Sequence, residues 1–174
     1  MKYEYAIIHK EDNPSITGPI KVALDAANKR PGASNSFLYK PGFDSDGLVS
    51  RFREMGALIR AGNADRIICI LDLMHGAQDR DAGLRDLAEV GGIVSADPFY
   101  SSVTHAYAFL TSVEEKVRFD PRATTFDPRF PVYLWSKDAV PSKLGTQLVG
   151  FLENDVLSDD PRNRLKNVIN RWRP

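Results

Sequence analysis

Residues 66–76 read RIICILDLMHG. Ile67–Leu71 is an unbroken apolar run rich in β-branched residues, the composition of a strand covered on both faces rather than one. It ends on Asp72. An ionised carboxylate is very costly to bury without a partner. Asp72 therefore belongs where the strand reaches the surface, beside something that uses its charge.

Working outward, the chain alternates short apolar runs with amphipathic stretches. Upstream, YEYAIIH (3–9) predicts a strand, and Ile20, Ala23, Leu24 and Ala27 lie at helical spacing within a helix over 17–29. SFLYK (36–40) predicts a second strand. Leu48, Phe52, Met55 and Ile59 step by four, three and four, which predicts a helix over 46–61 with Gly62 as its C-terminal stop. Downstream, the pattern predicts a helix over 79–90 and a strand over 92–95 from GGIVSADP. Val103, Tyr107, Leu110 and Val117 share one face of a helix over 100–117. A loop rich in Pro and Asp follows (118–130), then a strand over 132–136 (VYLWS) and a helix from Pro141 to about Asn154. The last segment begins SDDPRN, with Pro161 in a favoured first-turn position and Leu165, Val168, Ile169 and Trp172 as its apolar stripe.

Five strand–helix units in strict alternation predict a parallel sheet with helices on both faces. The expected architecture is a five-stranded, doubly wound α/β domain of flavodoxin-like order over residues 1–158. An extra C-terminal helix over 159–174 is expected to pack on that domain or at a dimer interface. In such sheets the functional site lies beyond the C-terminal ends of the strands.

Composition narrows the partners. The 174 residues carry 23 basic and 23 acidic side chains, a formal net charge of zero. Bulk attraction to nucleic acid or to an anionic membrane therefore has no source. The basic outer side of the last segment, with Arg162, Arg164, Lys166, Arg171 and Arg173, reads as a solvated face. A single cysteine, Cys69, stands inside the apolar run, where a thiol behaves as a small hydrophobe. The N-terminal apolar stretch is too short for a signal peptide and no run approaches a bilayer span, so a reducing, cytoplasmic setting is expected. The three histidines, His9, His75 and His105, have no metal-ligand spacing.

The residues that trail the predicted strands are more informative. His9, Lys10, Glu11, Asp12 and Asn13 follow the first; Asp72, Leu73, Met74 and His75 the third; Ser95, Ala96 and Asp97 the predicted fourth; Ser136, Lys137 and Asp138 the fifth. The first and third strands are neighbours in the expected order, so Glu11 or Asp12 should lie near Asp72. Crowded carboxylates repel, and a hard cation relieves them. Mg²⁺ suits one or two carboxylates, a carbonyl, waters and a phosphoryl oxygen. Lys137 would supply the opposite sign and Ser95 a hydroxyl. These are the parts that phosphorylation of an aspartate requires.

In this order the segments resemble a response-regulator receiver domain. AIIHKEDNPSITGPIKVALDAA resembles the first strand, acidic pair and first helix, and RIICILDLMHG the third strand with its phosphoacceptor. GGIVSAD resembles the fourth strand with a hydroxyl residue before a small one, and VYLWSKDAVPSKL the fifth strand with its lysine. The resemblance covers about residues 3–155. It implies Asp72 as phosphoacceptor, Glu11, Asp12, Asp72 and the carbonyl of Met74 around Mg²⁺, and Ser95 and Lys137 as the assisting groups. It also implies a protein partner, a histidine kinase or a downstream effector, with a homodimer as a further option. The departures are a long interval between Asp12 and Asp72, an insertion over 118–130, and the lack of the prolines usual after the phosphoacceptor and the lysine. They mark an atypical receiver, either phosphorylated on Asp72 or kept as a pseudo-receiver scaffold. A second register makes Ser136 the hydroxyl. A toprim-like Mg²⁺-dependent nuclease, or another α/β metal-dependent phosphotransfer enzyme, is the alternative that shares the acids after strands one and three. Met74 stands where a toprim site has its second aspartate.

Overall fold

The computed structural model describes residues 2–11, 13–42, 47–72, 81–111, 130–136 and 141–158. The C-terminal helix expected over 159–174 lies outside them. The described chain runs β1 (Tyr3–Lys10), α1 (Pro14–Asn28), β2 (Phe37–Gly42), α2 (Gly47–Arg60), β3 (Ala64–Leu71), α3 (Ala82–Ala96), α4 (Pro98–Val103), β4 (Thr104–Thr111), β5 (Val132–Ser136), α5 (Pro141–Phe151) and a π-helical turn over Leu152–Val156. The five strands form one sheet in the order β2-β1-β3-β4-β5, and every pair is parallel. This is the flavodoxin-like, doubly wound arrangement expected from the alternation.

β3 occupies the centre, and Ile67 through Leu71 are all fully buried. Alternate side chains serve two cores. Ile67, Cys69 and Leu71 join Ala6, Ile8, Tyr107 and Phe109 beneath Phe52, Leu87 and Tyr100, on the side of α2, α3 and α4. Ile68 and Ile70 join Tyr5, Ile7, Ala108 and Leu110 beneath Ile20, Leu24 and Leu148, on the side of α1 and α5. Each core is closed by a tight helix approach. A Cβ on Gly56 of α2 would meet the Tyr100 ring at 2.6 Å, and one on Gly145 of α5 would meet Ala23 Cβ at 2.8 Å and the Pro19 carbonyl oxygen. Only glycine fits at either crossing.

The helix after β1 starts three residues before the expected Thr17. Asn13 caps it, its side chain accepting from the Ser15 N–H at 3.0 Å, and Pro14 takes the first-turn position where a missing N–H costs nothing.

The fourth unit departs from the sequence reading. Residues 92–95 are not a strand; they are the last turns of α3, whose buried face is Leu84, Leu87, Val90, Gly91 and Val94. Gly91 and Gly92 resemble a break because glycine disfavours helix by about 1 kcal/mol against alanine, but an apolar face packed on the sheet outweighs that penalty. Residues 104–111 are likewise not helical. THAYAFLT is β4, buried on both faces, between β3 and β5. Its apolar residues satisfy helical spacing because a strand covered on both sides has apolar residues at nearly every position. The expected strand number stands, with a different segment supplying the fourth.

No helix among the described residues is long and apolar enough to cross a membrane.

Candidate functional site

At the C-terminal rim, β1 and β3 end side by side. Their last paired residues are Lys10 and Leu71. The Asp72 N–H donates to the Lys10 carbonyl at 3.1 Å, which carries the ladder one bond further. Glu11 and Asp72 are thus the next residues on adjacent chains, whose backbones in a sheet lie about 4.8 Å apart. Both are nearly buried, Glu11 at 1% exposure and Asp72 at 8%. Glu11 Oε1 accepts from the Asn13 N–H at 3.1 Å, which ties the carboxylate to the start of α1.

Two further polar pairs support this rim. On the α1–α5 side, His9 Nδ1 and the Tyr39 hydroxyl share a hydrogen bond of 2.6 Å between buried side chains of β1 and β2. Burial, and after it the Glu11 carboxylate, hold the Tyr39 hydroxyl far above its ordinary acidity range, so it stays a neutral phenol. On the other side, Lys10 Nζ reaches both carboxylate oxygens of Asp86 on α3, at 3.1 and 3.0 Å. Cys69 lies close to that pair. Burial pushes its thiol up, Asp86 adds to the effect and Lys10 opposes it. The thiol is therefore a neutral core group, as its place in the sequence suggests.

Of the residues singled out in the sequence, the structure brings Glu11 and Asp72 together. It places Ser95 elsewhere. Ser95 is an exposed residue in the last turn of α3. Helices of such crossovers run back against the strands, so this turn belongs to the opposite rim. Asp97, two residues on, lies 4.0 Å from Arg60 at the end of α2 and caps α4. Ser95 is corrected as the site hydroxyl, because the segment that carries it does not form a strand. Asp12, Met74 and Lys137 lie outside the described residues. Ser136 ends β5, in register with Thr111 at the end of β4.

Thr111 is a buried hydroxyl residue at the rim that the sequence reading did not single out. It closes β4 at the same rim as Glu11 and Asp72, at 1% exposure. The available signal was THAYAFLT itself, eight residues without Gly, Pro or charge ending on a hydroxyl, a composition that favours strand over helix. The Lys10–Asp86 and His9–Tyr39 pairs span 76 and 30 positions, and no local pattern announces either.

Among the described residues no group of three or more His, Cys, Asp or Glu side chains is placed to hold a metal ion. Glu11 and Asp72 supply two carboxylates, which fits Mg²⁺, an ion that keeps several waters and takes one or two protein carboxylates beside phosphoryl oxygens. No protein-family model and no curated protein matches the chain.

Proposed function

We propose that the protein is a receiver-like signalling module in which Asp72 accepts a phosphoryl group and a protein partner reads the change. The observation that carries this reading is the pairing of the β1 and β3 ends. The Asp72 N–H bonds the Lys10 carbonyl, so Glu11 and Asp72 are the next residues on adjacent strands, both buried, at the rim where doubly wound folds hold ligands.

In this reading Glu11, Asp12, Asp72 and the Met74 carbonyl would hold Mg²⁺, which would supply positive charge to offset that on the phosphoryl oxygens. An Asp72 oxygen forms a bond to phosphorus while the bond from phosphorus to the donor's leaving group breaks, and that group departs with the electron pair. Lys137 takes the ammonium role. Thr111 replaces Ser95 as the hydroxyl donor, with Ser136 beside it on β5. The module works without turnover of a substrate. Its partner is a histidine kinase, an effector or a second copy of the chain, and a zero net charge suits protein contact better than nucleic acid. A cytoplasmic, reducing compartment suits a single buried thiol.

The test is incubation of the full chain with acetyl phosphate and Mg²⁺. The expected result is a mass gain of one phosphoryl group, lost with EDTA and in Asp72→Asn. No gain, or a gain that survives Asp72→Asn, overturns the phosphoacceptor reading. Metal-dependent cleavage of nucleic acid that is lost in Glu11→Ala would favour the toprim-like alternative.

A further inference from the structure

Pro19 and Ala23 of α1 lie against Gly145 of α5, and Arg30 pairs with Glu153 at 2.9 Å, so the two helices run side by side in the same direction. Between them is an open groove of about 410 Å³. Ala23, Ala26 and Ala27 line it from α1, and Thr146, Val149 and Gly150 from α5. None of these side chains is larger than valine. The Arg30–Glu153 pair lies at the end of the groove nearer Ser158. One turn before Ala26, Val22 is 70% exposed at the margin. The chain leaves the described residues at Ser158, directly after the π-helical turn that continues α5. Residues 159–174 follow, with Pro161 in a first-turn position and Leu165, Val168, Ile169 and Trp172 as an apolar stripe. A helix this short is marginal in water unless such a stripe is buried. We infer that residues 161–172 dock as a helix in the α1–α5 groove of their own chain, antiparallel to α5.

Reach, length and size support this. The link over 158–160 spans at most about 10 Å, so the stripe finds its cover beside the end of α5. A link of this length joins antiparallel helices in a hairpin. The stripe runs from Leu165 to Trp172 and the α5 wall of the groove from Thr146 to Glu153, the same number of positions and about 10 Å in each case. The antiparallel direction sets Leu165 near Glu153, and Trp172 near Thr146, Ala23 and Val22. Large apolar side chains then fill the space that alanine and glycine leave. Arg162, Lys166 and Arg173 flank the stripe on one side, and Arg164 and Arg171 on the other. Their stems cover the margins while their charges stay in water, so the occupant needs no acidic groove. The short tether holds the segment at its own groove at an effective concentration of the order of millimolar, which favours it over the same segment of a second copy.

The docking is independent of phosphorylation at Asp72, and its test is NMR on the full, isotope-labelled chain. The expected result is nuclear Overhauser contacts from the Trp172 indole to the Val22 methyl groups, with amide exchange over 165–172 slowed at least about tenfold against the rate of an unstructured chain. Samples that mix labelled and unlabelled chains separate contacts within one chain from contacts between two. Ala26 is exposed, so Ala26→Phe fills the groove without entering the core. It is expected to abolish the Trp172–Val22 contacts and to speed exchange over 165–172 about tenfold. Trp172 contacts to another part of the chain, contacts only between two chains, or exchange over 165–172 at the unstructured rate each overturn the docking. Trp172–Val22 contacts that persist in Ala26→Phe overturn it as well. The wild-type contacts decide the matter if the variant does not fold.

Discussion

The N–H of Asp72 donates to the carbonyl of Lys10 at 3.1 Å, so the residue that ends the central apolar run is fastened to the end of the first strand. Glu11 follows Lys10 and Asp72 follows Leu71, the last registered pair of β1 and β3. A parallel ladder leaves no freedom here, because once the strands are in register the next residues are neighbours. Two acids distant in sequence meet for that reason.

The first prediction concerns the metal. Glu11→Gln keeps the side-chain amide oxygen for the Asn13 N–H but removes a charge from the rim. The affinity for Mg²⁺ should fall by about tenfold or more, since hard cations are held mainly by charged oxygen ligands. Titration calorimetry of wild type and variant checks this, and equal affinities would remove Glu11 from the metal shell.

The second separates the two hydroxyls. Thr111→Val should slow Asp72 labelling by acetyl phosphate by about tenfold, the order expected when one hydrogen-bond donor to a transferring group is lost. Ser95→Ala should leave the labelling rate as it is and change stability by less than about 0.5 kcal/mol, because Ser95 is an exposed residue on the opposite rim. The two labelling time courses, run side by side, give the answer.

The third concerns the His9–Tyr39 bond. Tyr39→Phe removes a buried hydroxyl from a 2.6 Å contact and should cost about 1–3 kcal/mol in urea denaturation. A cycle with His9→Phe should show coupling of about 0.5–3 kcal/mol, as for groups that share a buried bond. Additive losses would show that the two residues act independently.

The fourth concerns the α1–α5 crossing. Gly145→Val places a side chain where even a Cβ meets Ala23 at 2.8 Å. Overpacking of this kind should destabilise by about 1–3 kcal/mol. The smaller side chain of Ala23→Gly should recover part of that loss, and thermal unfolding of the single and double variants measures both effects.

The fifth is a pH dependence. Burial lowers the pKa of His105; a hydrogen bond to the Val156 backbone opposes this, Arg66 lowers it further and Glu4 raises it. The unfolded chain therefore binds the proton at a higher pH than the folded one. The contribution to stability is complete above the ordinary histidine value and is lost as pH falls through the lowered folded value. Denaturation at a series of pH values should show this acid-side slope, and His105→Gln should flatten it.

The sequence read β1, β2, β3, β5 and the helices α2 and α5 well, since each carries a period or an unbroken apolar run that suits one kind of element. It misread the stretch from 92 to 111. GGIVSA shows the glycines of a break and HAYAFL the spacing of a helix, and both features are local. Which segment entered the sheet was settled by burial. Leu87, Val90 and Val94 needed the face of the sheet as a helix stripe, while THAYAFLT offered a strand apolar on both sides for the space between β3 and β5. The candidate site follows the same division. Asp72 and Glu11 were visible because a charge at the end of an apolar run is conspicuous.

By itself, then, the sequence determined an alternating α/β chain, its central strand and the acid that ends it, because hydrophobic period and the cost of a buried charge act within a few residues. The tertiary structure alone decided that Thr111, not Ser95, shares the rim, that Lys10 spans to Asp86, and that His9 meets Tyr39. Those outcomes depend on strand order and on side chains distant in sequence competing for the same interior, and no local pattern encodes that competition.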